Sequence, residues 1–515
     1  MITDANRKWW VLVAMTGSLS MILLDQTVVG VALPSIQDDL DLSQTQVQWV
    51  VNAYLLAIAA LVAVGGRLAD MFNPVRMFIL GVVVFAVGSA LTGLAQDEAW
   101  IISARALQGV GAAMMIPPSG AIVINEFPIS ERGRSMGIYA GVSMIFLTLG
   151  PLIGGVLTEW TWRAVFWVNV PVAVLTVLLT LASKPSREVK PDQRLDVRGI
   201  VTLVPGLIAL VLALQQSATW GWSDPRTLGL LIGGGCLLGV FLVVELRVSQ
   251  PLVELRLFRG RNFIGDNTVL FFIQFALIGL TVFGAIFVQD ILGFSAIEAG
   301  LSLLALTLPL ALVAPRAGKI YDRIGPRLLV GTGSALVAGG LFWSAAVLSK
   351  QSYPWLVPGY VVMGIGIGLV MGPANTDGMN AAARELRGQA SGVIQTVRQI
   401  GGTIGLAIMG TIVANVQHRK LETELEARGG SAADVAKVEN VLAQGASEQA
   451  AAAQAVPAGQ QAELVSIVQD ASTSGISWAY IIGGIAVTLA TIAAFALLRH
   501  VRYEEDPGAA TAPVG

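Results

Sequence analysis

The chain has 515 residues, of which 54% are hydrophobic and 13% are charged, with a formal net charge of -2. Soluble domains carry about 25% charged residues, so a surface in water could not be covered and a soluble enzyme is excluded. The near-neutral balance also excludes nucleic-acid binding by bulk charge. A single cysteine, Cys236, permits no intramolecular disulfide, and His418 and His500 lie too far apart in sequence for metal-ligand spacing. No metal or other cofactor is expected.

A helix crosses a bilayer core with about 20 apolar residues. Measured by that length, the chain offers fourteen spans, at 10–33, 49–68, 76–95, 100–124, 136–157, 164–182, 199–217, 227–245, 264–288, 299–316, 328–348, 354–373, 389–414 and 476–498. The first apolar run is too long for the core of a secretion signal, and no small-residue cleavage site follows it. The fold class is therefore all-α and integral to the membrane.

Lys and Arg set the orientation. With the N-terminus in the cytoplasm, the inner side holds the basic residues of alternate loops, from Arg7 and Lys8 through Arg67, Arg76, Arg132 and Arg134 to Arg499 and Arg502, including the 184–198 linker with Arg187, Lys190 and Arg194. The outer side holds Arg163, Arg226, Lys350 and four basic residues in the long segment 415–475. Arg105 and Arg398 alone remain inside spans. A wrong span count would mix the two lists, so the sorting predicts an even number of spans and two cytoplasmic termini. Trp9, Trp10, Trp49, Trp100, Trp160 and Trp162 cluster at span ends as interfacial anchors.

The sequence echoes itself. Gly66-Arg-Leu-Ala-Asp70 follows the second span and Gly318-Lys-Ile-Tyr-Asp322 follows the tenth, each with a proline eight residues after its glycine. Glu131 to Gly137 opens the fifth span and Glu385 to Gly392 opens the thirteenth. The offsets are 252 to 255 residues. Two six-helix halves, 1–183 and 262–498, then flank an inserted pair at 184–261, with a tail at 499–515. Repeats of this kind mark transporters whose halves rock about a central site.

In order along the chain, these segments resemble the major facilitator superfamily, specifically its fourteen-spanner drug:proton antiporters. Leu24-Asp-Gln-Thr-Val-Val-Gly-Val-Ala-Leu-Pro34 is similar to that family's first-span motif, and Gly66 to Arg76 to its loop motif. Arg105-Ala-Leu-Gln-Gly-Val-Gly111 is similar to the fourth-span motif. Gly141, Gly150, Pro151, Gly154 and Gly155 resemble the fifth-span antiporter motif, while Leu195 to Gly199 and Pro251 to Phe258 flank the inserted pair as in that group. The resemblance implies a proton-coupled exporter of hydrophobic or amphipathic, cationic compounds in the cytoplasmic membrane, working as a monomer with a small-molecule substrate and protons. It departs at Met71, Asn73 and Pro74, where the loop motif has basic residues and glycine; the second copy, with Arg323, Gly325 and Arg327, is closer. At the offset of Pro151 the second half has Leu406, an asymmetry that family logic ties to export.

Asp25 is the most informative residue, because an ionised carboxylate inside a span is costly and functional by default. A structural, hydrogen-bonded carboxylate is the bland alternative. With a helical rise of about 1.5 Å per residue, Asp25 lies roughly 12 Å below Pro34 and Arg105 roughly 8 Å below Trp100, a match within the few residues to which span ends are defined, so Arg105 is the natural partner of Asp25. Gln108, one turn from Arg105, and Arg398 in span thirteen are expected with Asp25 in the substrate cavity. No acid stands at the depth of Arg398, which is expected to face the cavity or bond to carbonyls; Asp266 and Asp377 lie nearer the cytoplasm. The gating loops are assigned to Gly66, Asp70, Arg76, Gly318, Asp322 and Arg323, with each aspartate capping the next helix and latching a gate. Segment 415–475, with Leu421, Leu425, Val435, Val438, Leu442, Leu464 and Val468 at helical spacing and a break at Pro457 and Gly459, is expected to form an outer helical hairpin.

Two further readings stand beside drug export: export of a self-made lipid or secondary metabolite, and a non-transporting receptor that keeps the fold. A receptor has no need of a titratable group in mid-membrane. An enzyme is disfavoured by the lack of a catalytic constellation, and ATP-driven transport by the lack of a Walker lysine motif.

Overall fold

The computed structural model describes residues 2–185, 195–426 and 458–500. Among the described residues there are helices, turns and connecting segments but no strand. Fourteen helical stretches are long and apolar enough to cross a membrane. Of the residues named above, Arg187, Lys190, Arg194, Val435, Val438, Leu442, Pro457 and Arg502 lie outside the described residues.

Local chemistry starts the helices where the loops end. Helix α1 (Arg7–Asp39) is followed by α2 (Gln44–Met71), which Ser43 and Gln46 open with a capping box. Helix α3 (Pro74–Gly93) begins on Asn73, whose side-chain oxygen accepts from Val75 and Arg76, with Pro74 in the first turn. Asp97 caps α4 (Glu98–Glu126), and α5 (Ile129–Trp160) follows Pro128. Two pieces, α6 (Ala164–Trp167) and α7 (Asn169–Ser183), make the sixth span. Asp196 and Asp224 cap the inserted pair, α8 (Val197–Trp220) and α9 (Pro225–Glu245).

The second half runs α10 (Arg261–Ile286), extended by a π-helical turn at Phe287–Ile291, then α11 (Ala296–Ser302) and α12 (Leu304–Ile324). Helices α13 (Pro326–Val347), α14 (Tyr353–Asn380), α15 (Arg387–Glu426) and α16 (Ala458–Leu497) complete it. The start of α1, where Arg7 pairs with Glu126, and the end of α16, where Arg499 bonds to Asn262, lie on one face of the bundle, called here the termini face.

In the first half, α1 packs against α5 and α7, and α2 and α3 both pack on α4. In the second, α10 packs on α15 and α16, α12 on α14, and α13 on α14 and α16. The halves meet along α5 with α12 and α2 with α15. Helices α8 and α9 pack on each other, and α8 touches both halves through α2 and α15. Helix α9 buries little beyond Thr227, Gly234 and Glu245, leaving Ile232, Val240, Leu242 and Val243 exposed as a lipid-facing surface requires.

Helices α15 and α16 continue past the apolar stretch at the face opposite the termini. There Leu421, Ile467 and Ala471 bury one another with Leu425 and Val468 alongside. Gln417 Nε2 donates to Ser472 Oγ at 3.0 Å and Lys420 Nζ to Ser474 Oγ at 2.7 Å. The described part of the outer segment is thus two arms growing out of spans thirteen and fourteen rather than a separate hairpin. Counting apolar residues ended span thirteen at 414, but a helix carries its own backbone bonds and needs only a partner face to continue into water.

Candidate functional site

Asp25 sits on α1 in a wholly buried polar cluster of the first half. The carboxylate is 0% exposed and Arg105 of α4 is 1% exposed. Arg105 Nη1 donates to Asp25 Oδ2 at 2.7 Å and to Gln108 Oε1 at 2.7 Å, while Nε donates to the Val50 carbonyl at 2.9 Å. Gln108 Nε2 donates to Asp25 Oδ1 at 2.8 Å, and Asn169 Nδ2 to the same oxygen at 3.2 Å. The guanidinium also lies over the Tyr54 ring, 4.3 Å from its centroid, a favourable place for a cation. Both carboxylate oxygens and the Nε and Nη1 of the guanidinium thus have partners, the condition under which a buried pair is tolerated.

The expected depth match therefore ends in contact. Asn169 and Ser89, which accepts from Asn169 at 3.0 Å and donates to the Phe166 carbonyl at 2.8 Å, complete the cluster and were not singled out from the sequence. Their only signal was a polar side chain within an apolar span. In this conformation Asp25 and Gln108 are closed off from solvent, so neither lines an open cavity. The helices α1, α2, α4 and α7 pack around them, which a depth count cannot foresee.

Arg398 of α15 is different. It is half-buried, with Nη1 donating to Gln395 Oε1 at 2.8 Å and Nη2 to Gln274 Oε1 at 3.2 Å. Its buried Nε has no hydrogen-bond partner among the described residues. Side-chain amides hold it, rather than carbonyls or an acid, and one donor is left unpaired there. At the offset of Arg105 the second half has Tyr360, buried against Tyr480 with hydroxyls 3.5 Å apart, so the two halves differ in their chemistry.

The gating-loop residues meet in a crossed pattern. Asp70 accepts from the backbone N–H of Gly388 at 2.8 Å and of Gln389 at 2.7 Å, in the first turn of α15. Asp322 accepts from the backbone N–H of Gly133 at 2.8 Å and of Arg134 at 3.3 Å, near the start of α5. Each aspartate therefore holds a helix of the other half, not the next helix, and Asn73 takes the expected capping place on α3. The loop motif of one half grips the second repeated motif of the other. Glycine is required where the backbones touch: a Cβ on Gly318 would lie 1.9 Å from the Gly133 carbonyl oxygen, and one on Gly66 would lie 2.4 Å from that of Gly388. Arg132 Nη1 adds a bond to Asn380 Oδ1 at 2.9 Å, and Arg387 bonds to Asn125. Arg76 and Arg323 are exposed beside these contacts. All of them lie on the termini face, where the halves are closed against each other.

The inserted pair joins this closure. Glu245 at the end of α9 accepts from Leu252 and Val253 backbone N–H at 3.2 and 3.1 Å, folding the Pro251–Phe258 stretch back. Glu254 N–H then donates to the Gln389 side chain at 3.0 Å, next to the Asp70 contact.

The glycines of α5 serve two partners. Gly150 and Gly154 lie against Thr27 and Val28 of α1, about one turn from Asp25, and Thr27 Oγ1 donates to the Leu147 carbonyl at 2.9 Å. Gly141 lies against Ala311 and Ala314 of α12, Gly155 against Ile297 and Pro151 against Gly300 of α11. One helix thus links the Asp25 region to the other half.

Fourteen spans in two packed halves, with a charged pair sealed in one and a closure between them on one face, define a helical membrane transporter. The family model of the Major Facilitator Superfamily matches residues 15–406. The chain belongs to that superfamily and is a transporter, not an enzyme. It is 32% identical to the tetracenomycin C resistance and export protein of Streptomyces glaucescens, over 95% of this chain and 92% of that protein. It is 37% identical to the puromycin resistance protein pur8 of Streptomyces alboniger, over 79% of this chain and 82% of that protein. In fold it is similar to the proton:xylose symporter XylE, with a TM-score of 0.62 and 13% identity over 95% of each chain.

Proposed function

We propose that this protein exports hydrophobic or amphipathic small molecules across the cytoplasmic membrane, driven by protons moving inward. Export is supported by the relatives, which are named for resistance to or export of antibiotics. The sorting of Lys and Arg supports cytoplasmic termini, so that the termini face is the inner face and the conformation described is closed inside. The observation that carries proton coupling is the sealed Asp25–Arg105 pair. A proton arriving at Asp25 cancels the charge that holds Arg105, and the change is felt by α1. Helix α5 rests on α1 through Gly150 and Gly154 and reaches the inner closure at Gly133, so one rigid element spans the distance from proton site to gate.

The test is uphill efflux in proteoliposomes over a panel of cationic, neutral and anionic compounds, with an imposed proton gradient. Export that persists undiminished when the gradient is collapsed rules the reading out. The panel also decides substrate charge. Competition between a cation and the proton for Asp25 favours cations, whereas the half-buried Arg398 with its spare donor favours anions or neutral acceptors.

A further inference from the structure

A second buried acid lies in the other half, away from Asp25. Asp266 of α10 is 0% exposed, and among the described residues nothing donates a hydrogen bond to either of its carboxyl oxygens. Its Cβ lies against Gly378 of α14, next to Asp377, which is also 0% exposed and whose carboxyl meets that of Asp266. The two are not equivalent. Asp377 Oδ2 accepts from Asn262 Nδ2 at 2.8 Å and Oδ1 from Tyr321 Oη at 2.9 Å. Two carboxylates in contact inside a protein cannot both be ionised, and a bare one with no donor is far costlier than a neutral acid that donates to its neighbour.

We propose that Asp266 and Asp377 form a second proton-binding site, in which Asp266 holds the proton and donates it to the Asp377 carboxylate. The donors on Asp377 select it as the charged member, and the missing donors on Asp266 select it as the acid. The inference deepens the proton-driven reading above, and rests on it only for the site's use in transport.

The site is wired to the closure between the halves. Tyr321, which donates to Asp377, is the neighbour of Asp322, the residue that holds α5. Asn380 Nδ2 donates to the Tyr321 hydroxyl at 3.4 Å, while its Oδ1 accepts from Arg132 of α5. The other groups around the pair are accounted for. From α15, Ile394 covers Gly378 and Asp266, Arg387 bonds to Asn125, and Arg398 bonds to Gln274 and Gln395. Past α16, Arg499 meets Asn262 through its backbone and His500 lies against Gly325. Loss of the proton puts a second negative charge beside Asp377, pushes α10 from α14 and strains the Tyr321–Asn380–Arg132 chain. The contribution of this site to the closure is therefore greatest at low pH and falls as pH rises, opposite in sign to protonation of the acceptors Asp70 and Asp322, which weakens their own contacts.

The experiment uses the full chain in lipid nanodiscs, with difference infrared spectra for the protonated-carboxyl stretch and distance labels at Phe72 and Arg323 across the termini face. Wild type should show a protonated-carboxyl band that Asp266→Asn removes and Asp25→Asn does not. In the Asp25→Asn background, adding Asp266→Asn should remove the part of the pH response in which the label distance widens with rising pH, and leave the opposite part that comes from Asp70 and Asp322. Asp377→Asn, which keeps the shape of the site, should shift the same band by changing what the acid donates to. An unchanged band in both Asp266→Asn and Asp377→Asn overturns the proposal, as does a pH response in the Asp25→Asn background that Asp266→Asn leaves wholly unchanged. If the band behaves as described but wild-type efflux ignores a proton gradient, the site stands and the proton-driven reading falls.

Discussion

Asp25 and Asp266 are both sealed from solvent, one in each half, and the surroundings of the two acids are opposite. Asp25 lies against a guanidinium and accepts from two side-chain amides. Asp266 lies against another carboxyl and accepts from nothing among the described residues. Burying a charge is so costly that a protein must either bring the opposite charge or keep the group neutral. The first half brings Arg105; the second, on the geometry, keeps a proton. The comparison teaches that identical residues at similar burial can respond differently to loss of a partner, and it can be broken at several points.

The largest effect is expected from Arg105→Ala, which leaves Asp25 ionised and alone. Removing one partner of a buried pair destabilises by about 3–5 kcal/mol, so little folded protein should survive thermal unfolding assays in detergent. Arg105→Lys keeps the charge but loses the second nitrogen, Nε, that reaches the Val50 carbonyl while Nη1 holds Asp25 and Gln108, and should fall between wild type and alanine. Wild-type stability in Arg105→Ala would show that Asp25 is already neutral.

Asp25→Asn should come next. The amide keeps the size of the carboxyl, though its NH2 must face Arg105 or the two amides, so the protein should fold and insert with some loss of stability, but no amide can carry the proton and uphill efflux should vanish. Asp25→Glu should keep part of the activity. Normal proton-driven efflux by Asp25→Asn would remove Asp25 from the coupling path.

The two aspartates at the closure sharpen a second contrast. Asp70→Asn and Asp322→Asn each replace a charged acceptor by a neutral one, at a cost of about 1.5–3 kcal/mol to the closed arrangement. The populations read by labels at Phe72 and Arg323 should shift toward separation in both, for Asp322 with the second label moved to Leu328. An effect confined to one of them would show that the crossed contacts are unequal despite matching geometry.

The smallest effects are expected from Arg76→Ala and Arg323→Ala. Both side chains are exposed, and substitutions at such places usually fall within about 0.5 kcal/mol. A large loss of transport with unchanged stability would mean that they join the closure in another conformation.

Much of this was readable before any coordinates. Fourteen spans follow from apolar length alone, because a bilayer accepts few alternatives to a helix of that size. Span ends were read short where helices run on into water, as α15 and α16 do. The meeting of Asp25 with Arg105 was readable because depth is a one-dimensional quantity that helical rise preserves. The partners Asn169 and Ser89 were not, because neighbours around a helix depend on packing angle, which span limits do not carry. The repeated motifs were visible as repeats, but their crossed contact was not, since a repeat says which segments are alike and not which ones touch.

The sequence by itself determined the class of protein: composition demanded a membrane, apolar length set the number of crossings, and the offset of the repeats implied two halves. Tertiary structure alone decided which acids share a site, that Asp25 and Gln108 are sealed while Arg398 is half-open, and that Asp70 and Asp322 hold the opposite half. The physical reason is that hydropathy and helical rise act along the chain, whereas a hydrogen bond or a proton shared by two carboxyls requires groups from distant segments within about 3 Å of one another.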